Sequence, residues 1–333
     1  MVTSHDVARL AGVSQPTVSR ALRDNPKVSE ETRQRVRDAA KALGYVPSET
    51  GRALSSGRTR RIGLLLTDLE NQFYPHVIAP MHRELEALGY QLVLQTETSD
   101  TGQVTERLLA NGLEGVLLAT TTLDSVLPVR LRDRGVPFVY FNRTSAAVEA
   151  DCAIVDPTGG LREVADSLVS FGHRRVAAIF GPRNTSTGER RETALREALE
   201  SHGLSIPSRH THRGPFDFAT GFAGARTLLS QTERPTVIVC SNDVVALGAL
   251  NAARELHIEV PDQVSIVGFD DLPVASWPIV RLTTVAFDLD GMARAAAGLL
   301  VGRLEAGAEP PFETVTFGSH RVLRHTLAAA AVW

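Results

Sequence analysis

The sequence is poor in cysteine and has no long apolar run. Its two cysteines, Cys152 and Cys240, lie far apart among 333 residues, which excludes a disulfide framework and the close spacing of metal ligands. No stretch approaches the roughly 18 apolar residues of a membrane-spanning helix, and the N-terminal residues do not have the pattern of a signal peptide. These absences indicate a protein of the reducing cytoplasm without a membrane anchor.

Motifs of catalysis and cofactor binding are also missing. The sequence contains no glycine-rich dinucleotide loop, no Walker sequence, no G-x-S-x-G nucleophile elbow and no cluster of metal ligands. The ten histidines are scattered, and His173 in FGHRRV fits the end of a helix as well as any catalytic role. We therefore expect that the protein is not an enzyme and that it uses neither a metal nor a cofactor.

The charge of the chain is unevenly distributed. Residues 1–60 carry eleven Lys or Arg against six Asp or Glu, whereas the remaining residues carry twenty-four against thirty-two. A basic head on an acidic body predicts that the head alone binds a polyanion. A solvated helical face would give the same pattern, so the charge by itself leaves both interpretations open.

The basic head has the pattern of three short helices. Thr3 and Asp6 have the spacing of a capping box, and Gly12 is placed to end the first helix. Ser14 can cap the second helix, with Pro16 in the first turn, where a missing N–H does no harm. The turn between these helices has the length of a helix-turn-helix motif, whose second helix enters the major groove of DNA. A generic three-helix bundle is the alternative.

From residue 61 onward, short apolar runs alternate with amphipathic stretches. This alternation predicts buried parallel strands separated by helices, in two doubly wound α/β lobes. The predicted strands are 61–67, 90–95, 115–119, 137–141, 175–180, 236–240 and 264–269. Ligands of such folds bind beyond the carboxyl ends of the strands, which here means the cleft between the lobes.

Polar and aromatic residues that follow the strands are therefore candidates for ligand binding. They are Asp68, Asn71, Phe73, Tyr74, Asn142, Arg143, Arg191, Phe216, Asn242, Asp243 and Asp270. Arginine, asparagine and aspartate can each bind neighbouring hydroxyl groups in pairs, and an aromatic ring can cover a sugar or a base.

Structural roles remain open for some of these candidates. Asn242 and Asp270 have positions that would also suit helix caps. Phe73 could belong to the core, and Arg143 could form an ion pair between the lobes. The sequence alone does not decide between these roles and ligand binding.

Several segments occur in a fixed order along nearly the whole chain. They are DVARLAGVSQPTVSRALRDNPKVSEETRQRVRDAAKALGYVPS in the head and IGLLLTDLENQFY, GPRNTSTGERRETALREAL, CSNDVVALGAL, VSIVGFDD and LTTVAFD in the body. With these segments the sequence resembles the LacI/GalR, or lactose-repressor, family of bacterial transcription regulators. The resemblance implies a three-helix helix-turn-helix head, a hinge helix and two α/β lobes of the periplasmic-binding-protein type.

The resemblance also implies how the chain is divided. A DNA-binding domain would span 1–47, a hinge helix and linker 48–60, and an effector-binding and dimerisation domain 61–333. Because the chain crosses three times between the lobes in this family, each lobe consists of two segments. Lobe 1 would comprise about 61–157 and 289–318, and lobe 2 about 158–286 and 319–333.

Two kinds of DNA contact are implied for the head. Bases would be read by Gln15, Pro16 and Arg20. Phosphates would be bound by Thr3, Ser14, Thr17, Ser19, Asn25 and Thr32. Leu54 matches the hinge-helix leucine that wedges into the minor groove at the centre of the operator.

In the body, the resemblance places effector contacts at Arg191, Phe216, Asn242 and Asp270. The rule that ligands bind beyond the carboxyl ends of parallel strands (the strand-end rule) adds Asp68, Phe73, Tyr74 and Asn142 to this predicted site. The sequence departs from common family residues at Gln72, Ala194 and Leu195, so the identity of the effector is not carried over. We favour a sugar, because hydroxyl groups both donate and accept hydrogen bonds, with a nucleobase as the alternative.

These observations predict a cytoplasmic, sequence-specific repressor whose affinity for a palindromic operator is controlled allosterically by a small molecule. Whether the molecule is an inducer or a corepressor stays open. A homodimer is expected, because a palindrome requires paired heads and the tail RVLRHTLAAAAVW has no leucine heptads. A periplasmic sugar-binding protein and an enzyme on the same scaffold are the alternatives, and neither accounts for residues 1–60.

Overall fold

The computed structural model describes residues 2–22, 24–46, 58–67, 69–96, 106, 108, 110–306 and 311–331. They belong to two compact units, Met1–Thr59 and Arg60–Trp333. Most of the hinge segment expected over 48–60 lies outside the described residues, and so do two of the predicted site residues, Leu54 and Asp68.

The described part of the first unit contains the three predicted helices, α1 (Ser4–Ala11), α2 (Gln15–Ala21) and α3 (Glu30–Ala42). The carboxylate of Asp6 accepts hydrogen bonds from the backbone N–H and the hydroxyl of Thr3, at 3.0 and 2.8 Å, which confirms the predicted capping box. Gly12 has a φ of 64°, which ends α1 and begins the short turn to α2. One valine from each helix joins a common apolar cluster: Val7, Val18 and Val36.

The second unit alternates strands and helices. Its strands are β1 (Arg61–Leu66), β2 (Gln91–Thr96), β3 (Gly115–Leu118), β4 (Phe138–Phe141), β5 (Cys152–Val155), β6 (Val176–Phe180), β7 (Thr211–Arg213), β8 (Val237–Cys240), β9 (Ser265–Val267), β10 (Thr284–Phe287), β11 (Thr314–Phe317) and β12 (Ser319–Val322). Its helices are α4 (Tyr74–Ala87), α5 (Leu127–Asp133), α6 (Thr158–Ser170), α7 (Ser186–Glu200), α8 (Phe218–Leu229), α9 (Asp243–Glu255) and α10 (Leu289–Glu305). Each of the seven predicted strands is present, with its ends shifted by at most two residues.

Two parallel sheets form the two lobes, as predicted. The sheet of lobe 1 has the strand order β11-β5-β4-β3-β1-β2, and the sheet of lobe 2 has the order β7-β6-β8-β9. Because β11 comes from the C-terminal part of the chain, the chain returns to the first sheet after the second sheet is complete. β10 precedes β11 in the chain and β12 follows it. These two strands pair antiparallel in a sheet of their own, which connects the lobes.

Burial on both faces of the sheet explains the continuous apolar runs of most of the predicted strands. In β1, Ile62, Leu64 and Leu66 belong to the core on one face, whereas Leu65 belongs to the cluster on the other face. Side chains of a strand alternate between its two faces, so a strand covered on both sides is apolar at every position.

His173 has a structural role at the end of α6, in line with the helix-end interpretation. Its imidazole is fully buried, with Nδ1 2.9 Å from the hydroxyl oxygen of Thr236 and Nε2 2.9 Å from the carbonyl oxygen of Ala328. Burial lowers the pKa of His173, which keeps the ring neutral at ordinary pH. The ring thereby ties the C-terminal segment to the second lobe.

None of the helices formed by the described residues is long and apolar enough to cross a membrane. Among the same residues, no three His, Cys, Asp or Glu side chains come together in a group that could hold a metal ion.

Helices α8 and α9 approach each other closely at two glycines. A Cβ atom on Gly221 would lie 1.9 Å from the carbonyl oxygen of Val245, and one on Gly248 would lie 2.2 Å from the carbonyl oxygen of Phe218. Backbone atoms cannot turn aside as a flexible side chain can, so this contact requires glycine on both helices.

Gly221→Ala is therefore expected to lower the free energy of unfolding of the second unit by about 1–3 kcal/mol, because the helices must move apart. Gly298→Ala is the matched control, since this exposed position in α10 has no heavy atom within 4 Å of a new Cβ. The control should be neutral or more stable by up to about 1 kcal/mol, since alanine favours helix. Urea denaturation measures both, and equal stabilities would contradict the contact.

Candidate functional site

Side chains from both lobes meet at one cavity between the lobes. Those from lobe 1 are Asn71, Phe73, Tyr74, Ala119, Asn142 and Arg143, and those from lobe 2 are Thr187, Arg191, Phe216, Asn242 and Asp270. Every residue of the predicted effector site that the structure describes lines this cavity. The convergence follows from the topology, because the carboxyl ends of parallel strands meet at the same edge of a sheet.

A buried ion pair dominates the side of lobe 2. Arg191 donates from Nη2 to Oδ1 of Asp270 at 2.7 Å and from Nη1 to the carbonyl oxygen of Ser241 at 2.7 Å. Its guanidinium also lies over the ring of Phe269, 3.8 Å from the ring centroid. The side chain of Asp270 is only 2% exposed, and this burial raises its pKa to about 6 although Arg191 opposes the shift.

The backbone of Asp270 is strained. Its φ of 112° belongs to a region that residues with a side chain rarely adopt. The amide of Asp270 donates to the carbonyl oxygen of Val285 at 2.8 Å, which holds the residue in this conformation. Strain of this kind persists where the surrounding structure fixes it, and it often marks a functional site.

The helix-cap alternative is correct for Asn242 and wrong for Asp270. Oδ1 of Asn242 accepts a hydrogen bond from the amide of Val245 at 2.9 Å and so caps α9. Its side chain nevertheless lines the cavity. The amide nitrogen of Asn242 therefore remains as the group that can donate to a ligand.

Thr187 is not among the residues predicted from the sequence. It lies in the first turn of α7, which begins at Ser186. Thr187 and Arg191 therefore lie four positions apart and share one face of α7. The strand-end rule could have found Thr187, since it closely follows β6 in the segment GPRNTST.

Two polar atoms that line the cavity are buried without a hydrogen-bond partner among the described residues. They are Oδ1 of Asn142 and Oγ1 of Thr187. Asn142 has a φ of 64°, in the left-handed region that asparagine tolerates better than most residues. Because buried polar groups normally have partners, these two atoms mark positions where a ligand could form hydrogen bonds.

Phe216 joins the two lobes across the cavity. Nδ2 of Asn71 donates to the carbonyl oxygen of Phe216 at 2.8 Å, and the guanidinium of Arg143 lies 5.1 Å from the centroid of its ring. Arg143 thus crosses between the lobes by a cation–π contact and not by the ion pair that was the alternative. A Cβ on Gly181 would lie 2.3 Å from the ring, so a larger residue at this position would force the ring to move.

Further hydrogen bonds hold the lobes together beside the cavity. The amide of Leu123 donates to the carbonyl oxygen of Asn184 at 2.8 Å, and the amide of Thr144 donates to the hydroxyl of Ser186 at 2.9 Å. The cavity has a volume of about 30 Å³, which is room for one or two water molecules. A sugar-sized ligand can therefore enter only when the lobes separate or the ring of Phe216 moves.

The predicted DNA contacts of the head are partly gathered on α2. Val18 and Ala21 of this helix are buried, and the opposite face exposes Pro16 and Arg20. The predicted residues Gln15, Thr17 and Ser19 are half-buried on the same helix. Thr3 and Thr32 lie at the starts of α1 and α3, Ser14 precedes α2, and Asn25 lies between α2 and α3.

Several of these head residues already take part in local hydrogen bonds. The hydroxyls of Ser14 and Thr17 lie 2.8 Å apart, and the hydroxyl of Ser29 donates to that of Thr32 at 2.9 Å. Oδ1 of Asn25 accepts from the amide of Lys27 at 3.0 Å. These contacts fix the helix starts and the loop, and the assignment to phosphate contacts stays a prediction.

Comparisons with known proteins agree with both units. The family described as "Bacterial regulatory proteins, lacI family" matches residues 3–48, and a "Periplasmic binding protein-like domain" matches residues 165–327. The HTH-type transcriptional regulator CelR of Thermobifida fusca is 33% identical over 331 residues, which cover 96% of each chain.

Solved structures show the same fold. A complex described as transcriptional regulator CelR with cellobiose has a TM-score of 0.73 and 32% identity, covering 98% of this chain and 100% of the other. The Lac repressor dimer bound to operator and the anti-inducer ONPF has a TM-score of 0.86 at 24% identity, covering 98% and 99% of the two chains. The relatives named here are regulators of transcription and not enzymes.

Arg191→Met is expected to lower the free energy of unfolding by about 3–5 kcal/mol, because it leaves the carboxylate of Asp270 buried without its cation. The double variant Arg191→Met with Asp270→Asn contains no buried charge at this position and should recover part of the loss. Chemical denaturation of the wild type and both variants measures the difference. Equal stability of the single and double variants would contradict the account of the pair.

The loss in Arg191→Met should also depend on pH. Burial raises the pKa of Asp270 and Arg191 opposes this shift, so the pKa should be higher still in the folded variant that lacks Arg191. The folded variant then gains more stability from protonation of Asp270 than the wild type does, so acidification from about pH 7 to about pH 5 should reduce the loss caused by Arg191→Met. A loss that grows on acidification would show that another group determines the stability.

Proposed function

Because the chain belongs to the LacI family of bacterial regulatory proteins, we propose that it represses transcription from a palindromic operator and that a small molecule bound between its lobes controls this binding. The observation that carries the proposal is the cavity, since both lobes contribute its lining and Phe216 connects them. A ligand at this place contacts both lobes and can change how they are arranged.

A sugar is the effector that the lining supports best. Arg191 and the amide nitrogen of Asn242 can donate hydrogen bonds, whereas Asp270 can accept them, which suits hydroxyl groups that do both. The ring of Phe216 can cover the apolar face of a sugar ring. The cellobiose complex of the related regulator CelR supports this choice, and a nucleobase is the alternative.

In the proposed mechanism, the DNA-binding domain over 1–47 is connected through the hinge over 48–60 to the effector-binding and dimerisation domain over 61–333. A ligand that changes the relative position of the lobes would change the spacing of the two hinges in a dimer, and so the affinity for DNA. The proposal includes no catalytic step. Binding to chromosomal DNA would place the protein in the bacterial cytoplasm.

DNA recognition is tested on Arg20, which is exposed on α2. Arg20→Ala should weaken binding to the operator by about 1–3 kcal/mol and relax the preference at one base pair, if the side chain reads a base. The measurement is a gel shift with DNA from upstream of the gene, followed by a series of base substitutions. An equal loss on every sequence, with a salt slope lower by about one, would assign Arg20 to phosphate binding instead.

Control by the effector is tested on Asp270. Asp270→Ala should abolish the response to the effector and leave effector-free DNA binding intact if the effector is an inducer. If the effector is a corepressor, the variant should bind the operator weakly under all conditions. Isothermal titration of the variant with the ligand of the wild type provides the check, and undiminished binding would remove Asp270 from the site.

A homodimer is expected because paired heads are needed to read a palindrome. The exposed apolar side chains Trp277 and Ile279, which are 55% and 84% exposed, suit a surface that a second copy covers. Ile279→Lys should therefore shift the protein from dimer to monomer in sedimentation at micromolar concentration, and Leu323→Lys serves as the control. A monomeric or tetrameric wild type would contradict the expected dimer.

A further inference from the structure

The cavity contains a guanidinium, that of Arg143, which forms no ion pair with the described residues. Burial lowers its pKa, although Asp270 lies near enough to raise it. Arg143 lies two residues after the end of β4, where its amide donates to the carbonyl oxygen of Phe141 at 2.7 Å in a tight turn. Within the described part of the chain, its side chain forms neither an ion pair nor a hydrogen bond. Its guanidinium makes a cation–π contact with the ring of Phe216, whose centroid is 5.1 Å away, and the residue is half-buried.

The positive charge of Arg143 is not compensated by the other groups that line the cavity. Of the described residues in the lining, Arg143 and Arg191 are cationic and Asp270 alone is anionic. Asp270 is already paired with Arg191 at 2.7 Å. The neighbouring Asp243 does not line the cavity, and its carboxylate binds the hydroxyl of Thr284 and the amide of Leu272. One positive charge therefore faces the space that a ligand would occupy.

Unused polar atoms lie in the same lining. The amide oxygen of Asn142 and the hydroxyl oxygen of Thr187 have no partner, and these residues are only 8% and 7% exposed. Asn142 is adjacent to Arg143 in sequence and comes from lobe 1, whereas Thr187 comes from lobe 2. A ligand that binds Arg143 can therefore form hydrogen bonds to both lobes at once.

We propose that the effector is an acidic sugar derivative, that is, a polyol with a carboxylate or phosphate group, and that Arg143 binds its anionic group. The proposal rests on the proposed function and narrows it to one class of ligand. A guanidinium binds such a group through two parallel hydrogen bonds, a stronger contact than the one it makes with an aromatic face. Binding therefore replaces the contact between Arg143 and Phe216 and frees the ring to cover the sugar.

The test compares ligands that differ only in the anionic group. Melting temperatures of the wild type are measured with glucose, glucuronate and glucose 6-phosphate at millimolar concentration, and with inorganic phosphate, all at equal ionic strength adjusted with sodium chloride. At least one anionic probe should raise the melting temperature by about 2 °C or more, while glucose leaves it unchanged. A response to glucuronate alone identifies a carboxylate, and a response to the two phosphates identifies a phosphate.

The variant Arg143→Gln should lose this response. Arg209→Gln is the matched control, because Arg209 is an exposed arginine of lobe 2 that pairs with Glu233 outside the cavity. The control should respond as the wild type does. The inference is overturned if Arg143→Gln responds equally to the anions, if glucose stabilises as much as its acidic derivatives, or if no anionic probe changes the melting temperature.

Failure of this inference differs from failure of the proposed function. A gel shift of the wild type with its upstream DNA, without any ligand, tests DNA binding alone. If the wild type binds this DNA but does not respond to the anions, a neutral effector replaces the acidic one and the repressor function stands. If the wild type does not bind the DNA, the proposed function fails whatever the anions do.

Discussion

The cleft depends on the buried ion pair between Arg191 and Asp270. Two charges removed from water cost several kcal/mol each, and their attraction offsets this cost only when the geometry is good and the remaining polar atoms are satisfied. Arg191 meets this condition with hydrogen bonds to Asp270 and to Ser241, and with the ring of Phe269 beneath its guanidinium. The pair fixes a donor and an acceptor in lobe 2, at a residue whose strained backbone is held by the hydrogen bond from its amide to Val285.

The contact between the lobes is organised differently. Lobe 1 reaches Phe216 through one hydrogen bond from Asn71 and one cation–π contact from Arg143, and both are individually weak. A rigid pair within one lobe and weak contacts between the lobes together suit a site that opens and closes, because a ligand can replace the weak contacts without disturbing the pair. In the arrangement of the lobes that the structure shows, the cavity of about 30 Å³ is too small for a sugar.

How well the sequence predicts each part depends on whether the determining contacts are local. The cap at Thr3 and the stop at Gly12 involve residues a few positions apart, and the structure agrees with both. Six of the seven predicted strands are largely buried and have continuous apolar runs, whereas β2 is partly exposed. Five strands were missed. Of these, β7, β11 and β12 are short and partly exposed, which leaves no such run in the sequence, and β5 and β10 are buried but only four residues long. The strand-end rule predicted most of the residues that line the cavity. The contact of Arg143 with Phe216 depends on how the lobes pack, so no local pattern in the sequence indicates it.

In the proposed regulator, one ligand site and one DNA site are coupled through the arrangement of the lobes. The most direct test measures the dissociation constant of the operator without ligand and with a saturating amount of the ligand that raises the melting temperature. It also measures the affinity of that ligand with and without operator. Coupling predicts a change of about tenfold in operator affinity and, by linkage, the same factor in ligand affinity. An operator affinity that is unchanged at saturation with the ligand would contradict the account.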